Sequence, residues 1–389
     1  MTRRVYLDHA STTPMRSEVL EAMLPFLREE FGNPSSLHAF GRRPREALEQ
    51  ARSAVAALIN ARPEEIYFTS GATEANNWAL KGIVAAARNR PAHVITSQIE
   101  HYSVLHTAKT LQRLGSRVTF LPVDRYGFVD PEAVARAIDD TTVVVSVTHA
   151  SNEIGTIEPI AGIAAVARAR KVPLHVDATQ TVGNIPVDVA ALGVDMLTLA
   201  AHQFYGPKGV GALYVRRGTR LLPLLEGGLQ ESGRRAGTEN VAGIVGLGRA
   251  AELAAGELSA RGERLARLRD RLREGLAQRI PDLTFTGHPT ERLPGHVSLC
   301  VKYVEGESVL LMLDAKGVSA ASGSSCTSRA LKASHVLEAI GIEPGLANGS
   351  VLLSLGADND EADVDYVLEV MPPLVERLRA MSPLRPEGG

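Results

Sequence analysis

The chain has 389 residues, 44% hydrophobic and 22% charged, with a formal net charge of -2. That length suits two domains around a large buried core, and the near-neutral charge excludes a global pull toward nucleic acid or an anionic membrane. Two cysteines, Cys300 and Cys326, are too few for a disulfide framework and fit a reducing cytoplasm, and no apolar run reaches the roughly 18 residues of a membrane span.

The start, Met1-Thr2-Arg3-Arg4, is basic, but Asp8 and His9 follow before any stretch fit for a secretory leader, so none is expected. From Ala47 to about Arg279, short β-branched runs alternate with Ala- and Arg-rich helical stretches. The runs are Glu65–Thr69, His93–Thr96, Val143–Val147, Pro173–Asp177 and Met196–Leu199. Strands spaced by helices predict βαβ units and a mostly parallel sheet, with ligands at the carboxyl ends of the strands. The stretch Glu252–Leu276 predicts a long amphipathic helix bridging two domains. Beyond it, a Gly/Pro loop near Gly287–Gly295, further strands and a final helix over Asp360–Met381 predict a smaller α+β domain. The expected division puts residues 15–260 in the large domain and residues 1–14 and 261–389 in the small one.

Three segments carry chemistry. In Phe68-Thr69-Ser70-Gly71-Ala72-Thr73-Glu74-Ala75-Asn76-Asn77 a strand runs through a Gly turn into a helix, whose free amides and dipole suit a phosphate. Taken alone, the same turn also reads as an ordinary helix cap. In His175-Val176-Asp177-Ala178-Thr179-Gln180 an Asp ends a buried strand before an expected helix. It can hold a protonated pyridine nitrogen, or cap that helix; Gln180, one turn on, can reach a phenolate oxygen of the same ring. The third segment is Leu199-Ala200-Ala201-His202-Gln203-Phe204-Tyr205-Gly206-Pro207-Lys208-Gly209.

Together these segments resemble the class V aminotransferase group of fold-type I pyridoxal-phosphate (PLP) enzymes, and among them cysteine desulfurases of the NifS/IscS type. The likeness spans nearly the whole chain. It includes Tyr6-Leu7-Asp8-His9-Ala10 and Phe31-Gly32-Asn33-Pro34-Ser35-Ser36 early, Arg234-Arg235-Ala236-Gly237-Thr238-Glu239-Asn240 in the middle, and Ser322-Gly323-Ser324-Ser325-Cys326-Thr327-Ser328 late. The resemblance implies that Thr73 and the Ala72 backbone hold the phosphate, helped by His202 and by Thr238 of a partner subunit in a homodimer. His101 would stack on the pyridine ring, although standing alone it reads as a core histidine. Asp177 would pair with the ring nitrogen, Gln180 and Asn152 would contact the O3′ side and the substrate, and Asn33 would also touch the substrate. Cys326 resembles the family's mobile nucleophile, which takes sulfur from L-cysteine as a persulfide; a thiolate on a Gly/Ser-rich loop suits that shuttling. Cys300, in an apolar run, reads as a buried small hydrophobe.

The sequence departs from the family at three positions. Gln203 stands where the Schiff-base lysine is expected, and an amide nitrogen neither forms an imine nor acts as a base. Lys208 does not repair this, because the family usually carries that lysine too. Ala200 replaces a phosphate-binding serine, and Leu352, within Ser350-Val351-Leu352-Leu353-Ser354-Leu355-Gly356, replaces the substrate-carboxylate arginine. Three losses in one pocket read as natural drift rather than a single trapping substitution.

The expectation is therefore a desulfurase-like protein with impaired or altered catalysis. It would hold PLP without a covalent bond, carry no metal, and pass sulfur to an acceptor such as an iron–sulfur scaffold or a tRNA-thiolation protein. The competing expectation is a non-catalytic PLP-binding scaffold that docks such an acceptor. A transaminase or selenocysteine lyase explains neither the Cys326 loop nor the missing lysine.

Overall fold

The computed structural model describes residues 3–87, 91–323 and 334–382. Its centre is a seven-stranded sheet, in order Ile66–Thr69, Gly211–Val215, Met196–Ala200, Leu174–Asp177, Thr142–Thr148, His93–Ser97 and Arg117–Leu121. The last five run parallel, while Gly211–Val215 runs antiparallel to both its neighbours. His93–Ser97 and Met196–Ala200 are buried along their whole length. Helices cover both faces of the sheet, so these strands read as nearly continuous apolar runs rather than as alternation. This is the α/β, PLP-dependent transferase fold of type I expected from the sequence. The five expected strands appear with no end moved by more than one residue; Glu65 closes a 3-10 turn instead of opening a strand.

One expected element is absent. No helix follows Asp177: residues 179–184 form successive turns before the chain leaves through Ile185 and Pro186. Gly183 takes φ +76°, where its bare Cα lies against the Phe204 ring, and the left-handed turn ends any helical run. Pro186 then disfavours helical geometry at the residue before it.

The long helix spans Val241–Arg279, 39 residues and about 58 Å at 1.5 Å per residue. The sequence expectation caught only its Arg/Glu-rich part. The first turns are Gly-, Ala- and Val-rich because they lie tight against the helix Ala39–Leu58. Gly248 there approaches Ala51 so closely that an added Cβ would stand 2.6 Å from the Ala51 Cα. Ile244, Leu247, Ala250 and Ala254 pack into the core under the large sheet. Leu265, Leu268, Leu272 and Leu276 pack into a second core. That core lies under an antiparallel sheet ordered Ser350–Ser354, His296–Val301, Leu283–Phe285. Val5 and Leu7 join it, and Val5–Tyr6 pairs in parallel with Val318–Ser319. The final helix is Glu361–Met381, with Asp360 as its N-cap in a reciprocal capping box with Asp363.

Candidate active site

The carboxyl ends of the large sheet open on a cavity of about 510 Å³. Its lining brings together Ala72, Thr73, His101, Asn152, Asp177, Gln180, His202, Gln203 and Leu352, residues scattered over 281 positions of sequence, with Leu352 contributed by the small sheet. Thr238 and Asn33 do not line it; both are exposed, and Asn33 Oδ1 accepts from the Ser35 amide. Cys326 lies outside the described residues.

At one end of the cavity the helix Ala72–Ala86 begins. Gly71, its N-cap, has φ +146° and no side chain to cap the first amides, and Thr73 is exposed beside them. Bare N–H groups at the positive end of a 15-residue helix make a ready anion site. His202 lines the same cavity with Nδ1 3.2 Å from Thr12 Oγ1, and burial, then the charge of Lys208, push its imidazole below the usual range.

Asp177 ends its strand as a buried carboxylate. Oδ2 accepts from Asn76 Nδ2 at 2.7 Å, and Oδ1 accepts from the Thr179 amide at 3.0 Å and from its hydroxyl. The carboxylate therefore caps a turn and faces the cavity at once. His101 is not a core histidine: its ring is exposed, and Nδ1 caps the helix Tyr102–Arg113 by accepting from the Ser103 amide.

Gln203 is 5% exposed. Its Nε2 donates to the carbonyls of Ala10 at 3.1 Å and Ser11 at 3.2 Å, while Oε1 has no partner. Gln180 Nε2 donates to the same Ala10 carbonyl at 3.0 Å. The N-terminal segment is thus clamped across the cavity floor by two amides. Leu352 is buried and exchanges backbone hydrogen bonds with Ala321. Ala200 lies fully buried at its strand end and lines no part of the cavity.

Sequence reasoning missed three residues beside this site. Asn76 and Ser103 tie Asp177 to His101. Glu100 is completely buried, accepts from Ser97 Oγ and the Thr148 amide, and leaves Oε2 unpartnered. Burial pushes its carboxyl up to about 8, so it is protonated at neutral pH. For Asn76 and Ser103 the available signal was a polar side chain on a helix face otherwise made of Ala75, Trp78 and Ala79 or of Val104 and Leu105; Glu100, in the turn before the second helix, gave none. Cys300 is buried in its strand, and burial pushes its thiol up to about 12, so it is inert as a nucleophile.

The family described as aminotransferase class-V matches residues 5–367. A cysteine desulfurase IscS of Dictyoglomus turgidum is 51% identical over 387 residues, covering 100% of this chain and 98% of that protein. The cysteine desulfurase IscS of Methanosarcina thermophila is 51% identical over 385 residues, covering 99% of this chain and 95% of its own. A solved structure described as a NifS-like protein superposes with a TM-score of 0.91 at 37% identity, covering 97% of this chain and all of that one.

Proposed function

The chain belongs to the class-V aminotransferase family, among its cysteine desulfurases, and on that premise we propose that it is a desulfurase-like PLP protein whose catalysis is altered at position 203. The family's cofactor is PLP. The observation that carries the proposal is the meeting, in one cavity, of a bare helix N-terminus, the Asp177 carboxylate, the exposed His101 ring and a tethered amide at position 203.

The residues present fit the cofactor except at that last position. The amides of Ala72 and Thr73 would hold its phosphate, Asp177 its ring nitrogen, His101 one face of the ring, and Gln180 and Asn152 the O3′ side. Bound there, PLP supplies an electron sink for breaking bonds at the α-carbon of an amino acid. Asp177 keeps that sink effective by holding a proton on the ring nitrogen. Gln203 contributes neither a covalent anchor nor a base, because its nitrogen lone pair is delocalised and both its hydrogens are committed to Ala10 and Ser11. The cofactor would then be held by hydrogen bonds and packing alone. Leu352 offers the substrate carboxylate an apolar wall instead of a charge.

The net reaction of the desulfurase reading is L-cysteine plus the Cys326 thiol giving L-alanine plus a Cys326 persulfide: one C–S bond breaks, one S–S bond forms, and the proton balance closes. The acceptor of that sulfur would be a protein such as an iron–sulfur scaffold. A second reading, a non-catalytic scaffold that binds PLP and docks the acceptor, is favoured by the Gln203 amide. The exposed Phe31, Leu37, Phe40 and Leu229 support a homodimer, with Thr238 completing the partner's phosphate site. The two cores on one helix support the division near residue 260. The scarcity of cysteine supports a cytoplasmic setting, and among the described residues no helix is long and apolar enough to cross a membrane.

The test is a PLP titration of the full chain followed by L-cysteine with alanine as the readout. PLP binding that is weakened by Asp177→Ala and released by dialysis supports the site. Alanine formation selects the desulfurase reading, and its complete absence selects the scaffold.

A further inference from the structure

We propose that Asn76 and Ser103 are positioning residues of this cavity: a buried amide clamped by Asp177 dictates, through the Ser103 hydroxyl, which nitrogen of His101 carries the proton. The proposal deepens the reading above, since it rests on PLP lying between Asp177 and His101.

Asn76 lies in the second turn of the helix Ala72–Ala86 and is fully buried. Its Nδ2 stands 2.7 Å from Asp177 Oδ2 and 2.8 Å from Ser103 Oγ, and its Oδ1 has no partner. Only one orientation of the amide is tenable. Reversed, a carbonyl oxygen would face a carboxylate oxygen at hydrogen-bond distance, acceptor against acceptor. Nδ2 has two hydrogens, and the two contacts use both.

The direction of every following bond is then fixed. Ser103 Oγ accepts from Asn76, so its single hydrogen is left for His101 Nδ1 at 2.8 Å. The Ser103 backbone N–H donates to the same Nδ1 at 3.2 Å. A nitrogen approached by two donors presents its lone pair. The imidazole proton therefore sits on Nε2, at the opposite edge of the ring. A histidine on an exposed ring has two tautomers of similar energy; this one is given a single tautomer by a chain of donors that begins at the carboxylate assigned to the cofactor nitrogen. The functional consequence is that His101 presents an N–H donor, not a lone pair, on the edge away from its helix.

The experiment uses the full chain without cofactor, so its outcome does not depend on PLP binding. Histidine labelled with ¹⁵N is observed through long-range proton–nitrogen correlations, and the His101 signals are those lost in His101→Gln. The unaltered chain is expected to show the proton on Nε2. Asn76→Leu removes the donor to Ser103 Oγ, so the hydroxyl rotates and its oxygen can also face Nδ1, and the Nδ1–H population rises by roughly 2- to 10-fold, the worth of one hydrogen bond. Asn76→Ala removes the same donor in a smaller side chain and is expected to give the same shift. Ser103→Ala removes the hydroxyl, leaves only the longer backbone donor at 3.2 Å, and shifts the ratio toward Nδ1–H in the same way. A role confined to packing would move none of these signals. The proposal is overturned by an Nδ1–H tautomer in the unaltered chain, or by an unchanged ratio in whichever Asn76 variant folds. The PLP titration stands apart: failure there removes the cofactor reading and leaves the tautomer result intact.

Discussion

Restoring the lysine and the arginine tests the altered-catalysis reading most directly. Gln203→Lys returns a base, and a positioned general base contributes roughly 10²–10⁴-fold. Leu352→Arg returns a charge-assisted contact worth roughly 1.5–3 kcal/mol, which is about 10- to 150-fold in transition-state stabilisation. Burial favours the upper part of that range: Leu352 is 4% exposed and Gln203 5%, so both groups would act out of water, where charge interactions are strong. Burial also sets a cost. Lysine at 203 must replace the two hydrogen bonds to Ala10 and Ser11, and a stability loss of about 1–2 kcal/mol is expected. The assay is alanine formation from L-cysteine with PLP present, compared for the unaltered chain, each single variant and the double. Because both groups act on one substrate, their effects are expected to be non-additive, with Leu352→Arg alone giving little. Cofactor retained by Gln203→Lys after dialysis would show that the lysine is bonded to it. If that covalent enzyme, with or without Leu352→Arg, formed alanine no faster than the unaltered chain, the reasoning about position 203 would be wrong.

Four further outcomes are expected. Glu100 holds a proton in the folded chain up to about 8, whereas an unfolded glutamate releases it near 4.5. The folded state therefore binds more protons between those values, and stability falls as pH rises through that window, by on the order of 5 kcal/mol in total. In Glu100→Gln, urea unfolding from pH 5 to 8 should lose this contribution, and an undiminished slope contradicts it. Gly248→Ala should destabilise by about 1–3 kcal/mol despite alanine's better helix propensity, because the new methyl meets the Ala51 backbone; an unchanged or higher urea midpoint defeats that account. Sedimentation should show a dimer at micromolar concentration, and a stable monomer with PLP bound would remove the assignment of Thr238 to a partner's site. In the Gln203→Lys, Leu352→Arg background, adding Cys326→Ala should abolish sulfide release, and continued release means that another group accepts the sulfur.

Much of the fold was legible because buried parallel strands leave a strong local mark. Runs such as Val143–Val147 and Met196–Leu199 have no polar face to confuse their reading. Less legible was the first part of the long helix, where Gly243, Gly246 and Gly248 weaken the helical signal. Gly248 serves close packing against Ala51 and Gly246 against Met23 and Pro207, which no periodicity announces. The turns after Asp177 were misread as helix for a similar reason: the tight approach of Gly183 to Phe204 is a tertiary fact.

What the sequence determined by itself was the set of parts. Ser70-Gly71-Ala72-Thr73, Asp177, Gln180 and His202-Gln203 are local patterns whose chemistry depends on residue type and neighbours. They named a third of the cavity wall before any coordinates, eight of its 24 residues. Tertiary structure decided the connections between them. That Asn76 spends its two hydrogens on Asp177 and Ser103, that Gln203 is anchored to Ala10 and Ser11, and that Leu352 reaches the cavity from another sheet all depend on pairs separated by 27 to 193 positions or on separate elements. Hydrogen-bond direction and burial are properties of such pairs, and a chain read one residue after another does not contain them until it folds.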